Sequence, residues 1–169
     1  MRRLIKVLCL ILMCSLTFAF VGCNSKDNEA NKAQDAAKKY LNAYYTIDKS
    51  DAELYRAITN GNKDVNKLDQ DTAKSNNKFK DILTDKAYQN LVSTRMSYGR
   101  MKEAVNKDYY VAVKNIKLVK DTEDTKQQTI AYKYTIELTQ TPFTGNEIKS
   151  VQDSGVVNVL KVGNSWRVQ

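Results

Sequence analysis

Near residue 108 the hydrophobic period of this chain changes from 3.6 to 2 and does not change back. Before that point, Ala30, Ala33, Ala37, Tyr40, Leu41, Tyr44 and Ile47 recur at helical spacing, with Lys32, Asp35, Lys38, Lys39 and Asn42 between them. One apolar face and one charged face are the pattern of an amphipathic helix. "SDAELYRAITNG" follows, with Ser50 and Glu53 spaced as a capping box and Gly61 as a stop, which predicts a shorter second helix. Residues 61–77 are the most polar stretch and read as a mobile loop with one helical turn around Val65 and Leu68. Helical spacing returns through Phe79, Ile82, Leu83, Ala87, Tyr88, Leu91 and Val92, broken at Thr84-Asp85, where Thr84 is placed to cap the second piece.

After residue 108 the alternation is that of strands with one buried face. Tyr109, Val111 and Val113 alternate, then the phase slips to Ile116 and Leu118, which predicts a bulge near Lys114-Asn115. Ile130, Tyr132, Tyr134, Ile136 and Leu138 form the clearest row, backed by Thr129, Lys133, Thr135, Glu137 and Thr139. "TPFTGNE" holds the single proline and turns the chain. "KSVQDSGVVNVLKV" reads as a third strand bent or bulged at Gly155, and Gly163-Asn164 as a tight hairpin into "SWRVQ". Helices segregated from a meander define an α+β class: N-terminal helices packed on a curved antiparallel sheet of three long strands plus a short fourth.

The first 22 residues belong to a different regime. Arg2, Arg3 and Lys6 precede sixteen residues, Val7 to Gly22, without a charge. A spanning helix needs about 20 apolar residues, whereas a signal-peptide core needs about 7 to 15. The run fits the signal better, and a retained anchor is the competing reading. Phe20-Val21-Gly22-Cys23 resembles the bacterial lipobox, with Phe20 where that pattern usually has Leu. The resemblance implies that the Cys23 thiol is diacylglycerylated and the chain cut before it. Two acyl chains anchor stably where one is marginal, at about 0.8 kcal/mol per buried CH₂. The expected organisation is a lipoprotein signal peptide at 1–22, a polar tether at 23–30 and a single domain at 31–169. The expected location is the outer, extracytoplasmic face of the cell membrane, held there by the N-terminal diacylglyceryl group.

Composition narrows the chemistry. Cys9 and Cys14 lie in the signal and no cysteine follows Cys23, so the mature chain has no second thiol for an intramolecular disulfide. Histidine is absent, which removes His-based triads, His metal ligands and His acid–base chemistry. No phosphate-cradling glycine motif occurs among the six glycines. Removing three cations with the signal lowers the formal charge from +8 to +5, and the remaining cations are interspersed with carboxylates, as in "KDTEDTK". That reads as a solvated surface rather than a nucleic-acid stripe. No cofactor or metal site is expected.

The element order, with "YLNAYYTIDKSD", "FKDILTDKAYQNLVSTR" and the closing "GVVNVLKVGNSWRVQ", resembles the nuclear transport factor 2-like, cystatin-like superfamily, and within it small lipoproteins of Gram-positive type. That resemblance implies a cone in which sheet and helices surround a pocket, which Tyr40, Tyr44, Tyr132 and Tyr134 would line. Members similar to ketosteroid isomerase pair a carboxylate base with a tyrosine donor, and Asp153 is the nearest strand carboxylate here. Inward tyrosines are also an ordinary way to fill a core rim. Three functions are therefore expected in rank order. The first is a lipid-anchored, non-enzymatic binding or interaction domain for an unknown protein or small molecule. A small-molecule carrier or isomerase-like enzyme comes second, and a structural subunit of an envelope assembly third.

Overall fold

The computed structural model describes residues 23–61 and 64–169. The signal segment read at 1–22 lies outside them. The chain divides into two units, Met1–Lys32 and Ala33–Gln169. In the first, the described residues are the opening turns of helix α1, Cys23–Tyr45, with Lys32 Nζ 2.9 Å from Glu29 Oε1. The stretch read as a polar tether is thus helical backbone.

The second unit is α+β. The remainder of α1 is followed by α2 (Lys49–Thr59), α3 (Val65–Asn77), α4 (Asp85–Thr94) and α5 (Met96–Asn106). The strands are β1 (Tyr109–Asp124), β2 (Thr129–Pro142), β3 (Lys149–Val162) and β4 (Ser165–Val168). They form one curved antiparallel sheet in the order β1-β2-β3-β4, with helices packed on it. Ala33, Ala37, Leu41 and Tyr45 lie four apart on α1 and are all buried. They share one core with the inward row of β2, Ile130, Tyr132, Ile136 and Leu138, and with Val157 and Val159 of β3. Burying each large side chain in that layer contributes about 1.5–3 kcal/mol. A smaller core of Ile47, Met101 and Ala104 ties α5 to the start of β1.

Among the described residues five helices stand where the periodicity predicts three. The loop expected at 61–77 contains α3, capped by Asp64, whose carboxylate accepts from Lys67 N–H at 3.0 Å. Its less exposed positions are Leu68, Thr72, Ser75 and Asn76, a helical stripe that is mostly polar, so a hydrophobic pattern does not register it. The unpredicted α5 buries Ser97, Met101 and Ala104 at the same spacing. The start of α2 is also corrected. The capping box is Asp48 with Asp51, not Ser50 with Glu53: Asp51 N–H donates to Asp48 Oδ1 at 3.0 Å, and Asp48 N–H reaches Asp51 Oδ2 at 3.5 Å. Asp51 itself is buried and takes Lys78 Nζ at 3.2 Å and Ser75 Oγ at 3.2 Å, which joins α2 to the end of α3.

In the sheet the expected slip appears as a register shift between Val113 and Asn115, and a second lies between Lys120 and Thr122. Gly155 is neither bend nor bulge, because β3 pairs with β2 without interruption from Lys149 to Leu160. The hairpin at Gly163 is present, with φ of 59° in the left-handed region that glycine tolerates. Val168 and the segment before α4 pair across the chain: Thr84 N–H donates to Val168 O at 2.8 Å and Val168 N–H to Ile82 O at 2.9 Å. Thr84 then caps α4 through its side chain, accepting from Ala87 N–H at 3.3 Å. The Leu-Thr-Asp turn and the closing hairpin are therefore two halves of one junction.

Asp48→Ala is expected to lower stability by about 1 kcal/mol, whereas Ser50→Ala, which removes only a hydroxyl donating to that carboxylate, changes it by less. Urea denaturation of the two variants side by side decides between the two assignments of the cap.

Candidate functional site

Of the four tyrosines expected to line a pocket, Tyr40, Tyr44 and Tyr134 lie near one another, and Tyr132, 1 % exposed, is buried in the core. Tyr40 and Tyr44 stack on each other on α1, centroids 5.6 Å apart, and Tyr40 also leans on Phe79. Tyr40 lines a hollow of about 650 Å³ between α4 and the ends of β3 and β4, beside Leu83, Leu91 and Leu160. Burial first, then the neighbouring Tyr44 and Tyr134, push its hydroxyl up to about 12. Tyr134 lies inward on β2 over Gly155, its pairing partner on β3. A Cβ at Gly155 would stand 2.7 Å from the Tyr134 hydroxyl oxygen, so the glycine is required by a close approach.

The residue that organises the polar chemistry is Tyr45, which closes the Ala33-Ala37-Leu41 ridge. Its hydroxyl donates to Asp153 Oδ2 at 2.8 Å and lies 3.0 Å from the Tyr134 hydroxyl. With its single proton given to Asp153, Tyr45 accepts from Tyr134. Arg100 of α5 donates through Nη2 to the same Asp153 oxygen at 3.0 Å. The Arg100 guanidinium also lies over the Tyr45 ring, 3.9 Å from its centroid. Such a cation–π contact contributes roughly 0.5–2 kcal/mol depending on desolvation. Burial, and then the bonds to Tyr134 and Asp153, push the Tyr45 hydroxyl far above the ordinary tyrosine value.

Beside this cluster lies a hollow of about 220 Å³ on the inward face of the sheet. Its apolar walls are Ile47, Val111, Leu138 and Val151, and its polar walls include Arg100, Glu103 and Asp153. The bond from Lys107, opposed by burial, holds the Glu103 carboxyl below its usual range. Two cations, Arg100 and Lys107, thus balance two carboxylates, Asp153 and Glu103. Sequence reading named Asp153 without a partner and omitted Tyr45, Arg100 and Glu103. The signal for Tyr45 was the i, i+4 row through Ala33, Ala37 and Leu41. Arg100 and Glu103 sit on the helix whose buried stripe is too short and too small to announce itself.

Chemically the cluster is a set of occupied groups. Asp153 already takes a guanidinium and a phenol, and Tyr45 and Tyr40 are held protonated well above neutral pH. Among the described residues no group of three or more acidic, His or Cys side chains is placed to hold a metal ion, and no helix is long and apolar enough to cross a membrane. No protein-family model matches the chain, and a search of curated proteins returned no match.

Two outcomes follow. Gly155→Ala is expected to cost about 1–3 kcal/mol by pressing on Tyr134 and loosening its bond to Tyr45, measured as a lower urea midpoint with an unchanged slope. The raised tyrosines predict an alkaline limb. The unfolded chain ionises at the ordinary value of 10.0, while the folded chain keeps Tyr40 protonated to about 12 and Tyr45 further still. Their stabilisation is therefore complete below pH 10 and is lost as pH rises through the folded values. Stability measured from pH 8 to 11.5 should be level and then fall, with a shallower fall in Tyr45→Phe.

Proposed function

We propose that this chain is a lipid-anchored extracytoplasmic binding or interaction domain without enzymatic activity. The observation that carries the reading is the sequence Phe20-Val21-Gly22-Cys23 at the end of an uncharged run behind three cations. The apolar run suits a signal core, and the cysteine sits where lipidation and cleavage would make it the first mature residue. The domain is the nuclear transport factor 2-like kind of α+β module, a reading supported by helices followed by a meander.

The absence of enzymatic activity is supported by the state of the candidate groups. A general base needs an available lone pair and a proton to take. The nearest candidate, Asp153, is 43 % exposed on its side chain and ion-paired to Arg100, so it is neither desolvated nor unengaged. The isomerase-like alternative rests on Tyr45 facing Asp153, but in this pairing the tyrosine proton already points at the carboxylate. The envelope-subunit alternative rests on two exposed valines, Val119 and Val156, flanking Lys133 on the outer sheet face. Isolated surface valines of this kind are common on monomers.

Expression in a bacterium fed radiolabelled palmitate tests the anchor. Label should be incorporated, and Cys23→Ala should abolish it and leave the precursor uncut. An unlabelled protein, or one processed equally with alanine at 23, rejects the lipoprotein reading.

A further inference from the structure

β3 has an edge that nothing among the described residues covers. β4 pairs only with Val159–Val162, and Gln169 N–H donates to Asn158 O at 3.1 Å. In an antiparallel ladder a residue's N–H and C=O point to the same side, and the side alternates along the strand. Asn158 points toward β4, and β3 runs without a register shift, so Ser150, Gln152, Ser154 and Val156 point the same way, beyond the reach of β4. No backbone hydrogen bond among the described residues outside the β2 ladder reaches residues 149–157.

The opposite edge is handled differently. β1 is bridged at Val111 by Ile47 through both backbone groups, is kinked by two register shifts, and carries Lys117, Lys120, Asp121 and Glu123 along its far half. Bulges and charges are the usual protection of an edge strand. Between Ser150 and Val157, β3 has no bulge, proline or lysine. Its one charge, Asp153, is turned inward to Tyr45 and Arg100, and its Oδ1 takes the Ser154 N–H at 2.8 Å. The edge is therefore open at Ser150 and Gln152 and closed at the Ser154 donor.

The small hollow meets this same stretch. Val151 and Asp153 are among its walls, and so is Gln152, whose side chain belongs to the other face, which puts the rim at the β3 edge. We infer that Ser150–Ser154 is a strand-addition site for an extended peptide segment of a partner protein. The segment pairs with the backbone of Ser150 and Gln152 and turns one aliphatic side chain into the mouth of the hollow beside Val151. Strand addition takes its affinity from main-chain bonds and its specificity from pockets for alternate side chains. An aliphatic residue suits these walls, and the balanced charges around the rim favour a neutral neighbour over an ion. Arg100 makes one close hydrogen bond, to Asp153, and a guanidinium has five N–H donors, which leaves donors for a peptide carbonyl. A second copy of this chain fits worse. In any antiparallel self-pairing centred on residues 152 to 154, the two Asp153 side chains stand opposite or diagonal to each other, within about 8 Å.

The inference rests on the binding-domain reading, and its test is separate from palmitate labelling. The full chain in detergent micelles is panned against displayed seven-residue peptides, and enriched sequences are synthesised with capped ends. They should share an aliphatic residue with extended, uncharged neighbours, and should slow hydrogen exchange of the Ser150 and Gln152 amides at least tenfold. Gln152→Pro removes an edge donor without removing a bond to β2 and should weaken binding at least tenfold. If that variant fails to fold, protection of the wild-type edge decides. The site is rejected if no peptide is enriched, if bound peptides leave the edge amides unprotected, or if affinity is unchanged in folded Gln152→Pro. Protection that instead grows with protein concentration alone, as a dimer forms, would assign the edge to a second copy and overturn the inference. A lipid-free protein that still binds peptide at the edge would remove the anchor and leave this site standing.

Discussion

The buried ridge of α1 sets what the sheet can carry. Alanine at 33 and 37 keeps the ridge thin where it shares the core with β2 and β3, and Leu41 thickens it. At the last position, Tyr45 is long enough to bring a hydroxyl into the same layer. A hydroxyl buried there needs a partner, since an unpaired one costs about 1–3 kcal/mol. Two strands supply it: Tyr134 from β2 and Asp153 from β3. The carboxylate in turn needs a cation, and Arg100 meets that need from α5 while covering the Tyr45 ring. The polar cluster is thus a chain of compensations that begins with one aromatic residue at the end of an otherwise apolar row.

The same chain of compensations shapes the surface next to it. Because Asp153 is turned inward, the middle of β3 presents serine, glutamine and valine at its edge rather than charge. Because Tyr134 lies across β3, position 155 has no room for a side chain. Arg100 and Glu103 hold α5 beside the hollow without filling it. The open edge and the hollow are therefore products of one packing solution.

Much of the fold was legible from residues alone, and the reasons differ by element. β2 alternates cleanly because one face is buried and the other solvated along most of its length. The junction of Leu83-Thr84 with Val168 was visible only as two separate signatures, since nothing in a linear pattern says that residues 84 and 168 pair. α3 was missed because its less exposed stripe is largely Thr, Ser and Asn, and α5 because its stripe contains serine and alanine around a single methionine. For the cap of α2, spacing offered Ser50–Glu53, while the structure uses Asp48–Asp51, shifted by two residues. The cluster was the least legible part. Its members sit on α1, α5, β2 and β3, and only the assembled sheet brings them together.

That assembly has a consequence for the order in which the protein is completed. The Tyr45–Asp153 bond spans 108 residues and the Tyr45–Tyr134 contact spans 89. Loops of that length close late, because their entropy is lost before any contact rewards it. Until β3 is in place, Tyr45 lacks Asp153, and its hydroxyl has only Tyr134 of β2 to meet. A chain still emerging therefore holds α1 through its apolar ridge and β2 alone, without the carboxylate and guanidinium that complete the cluster. The polar cluster acts as a latch that engages once the third strand has arrived, and a chain stopped before that strand has no latch to close.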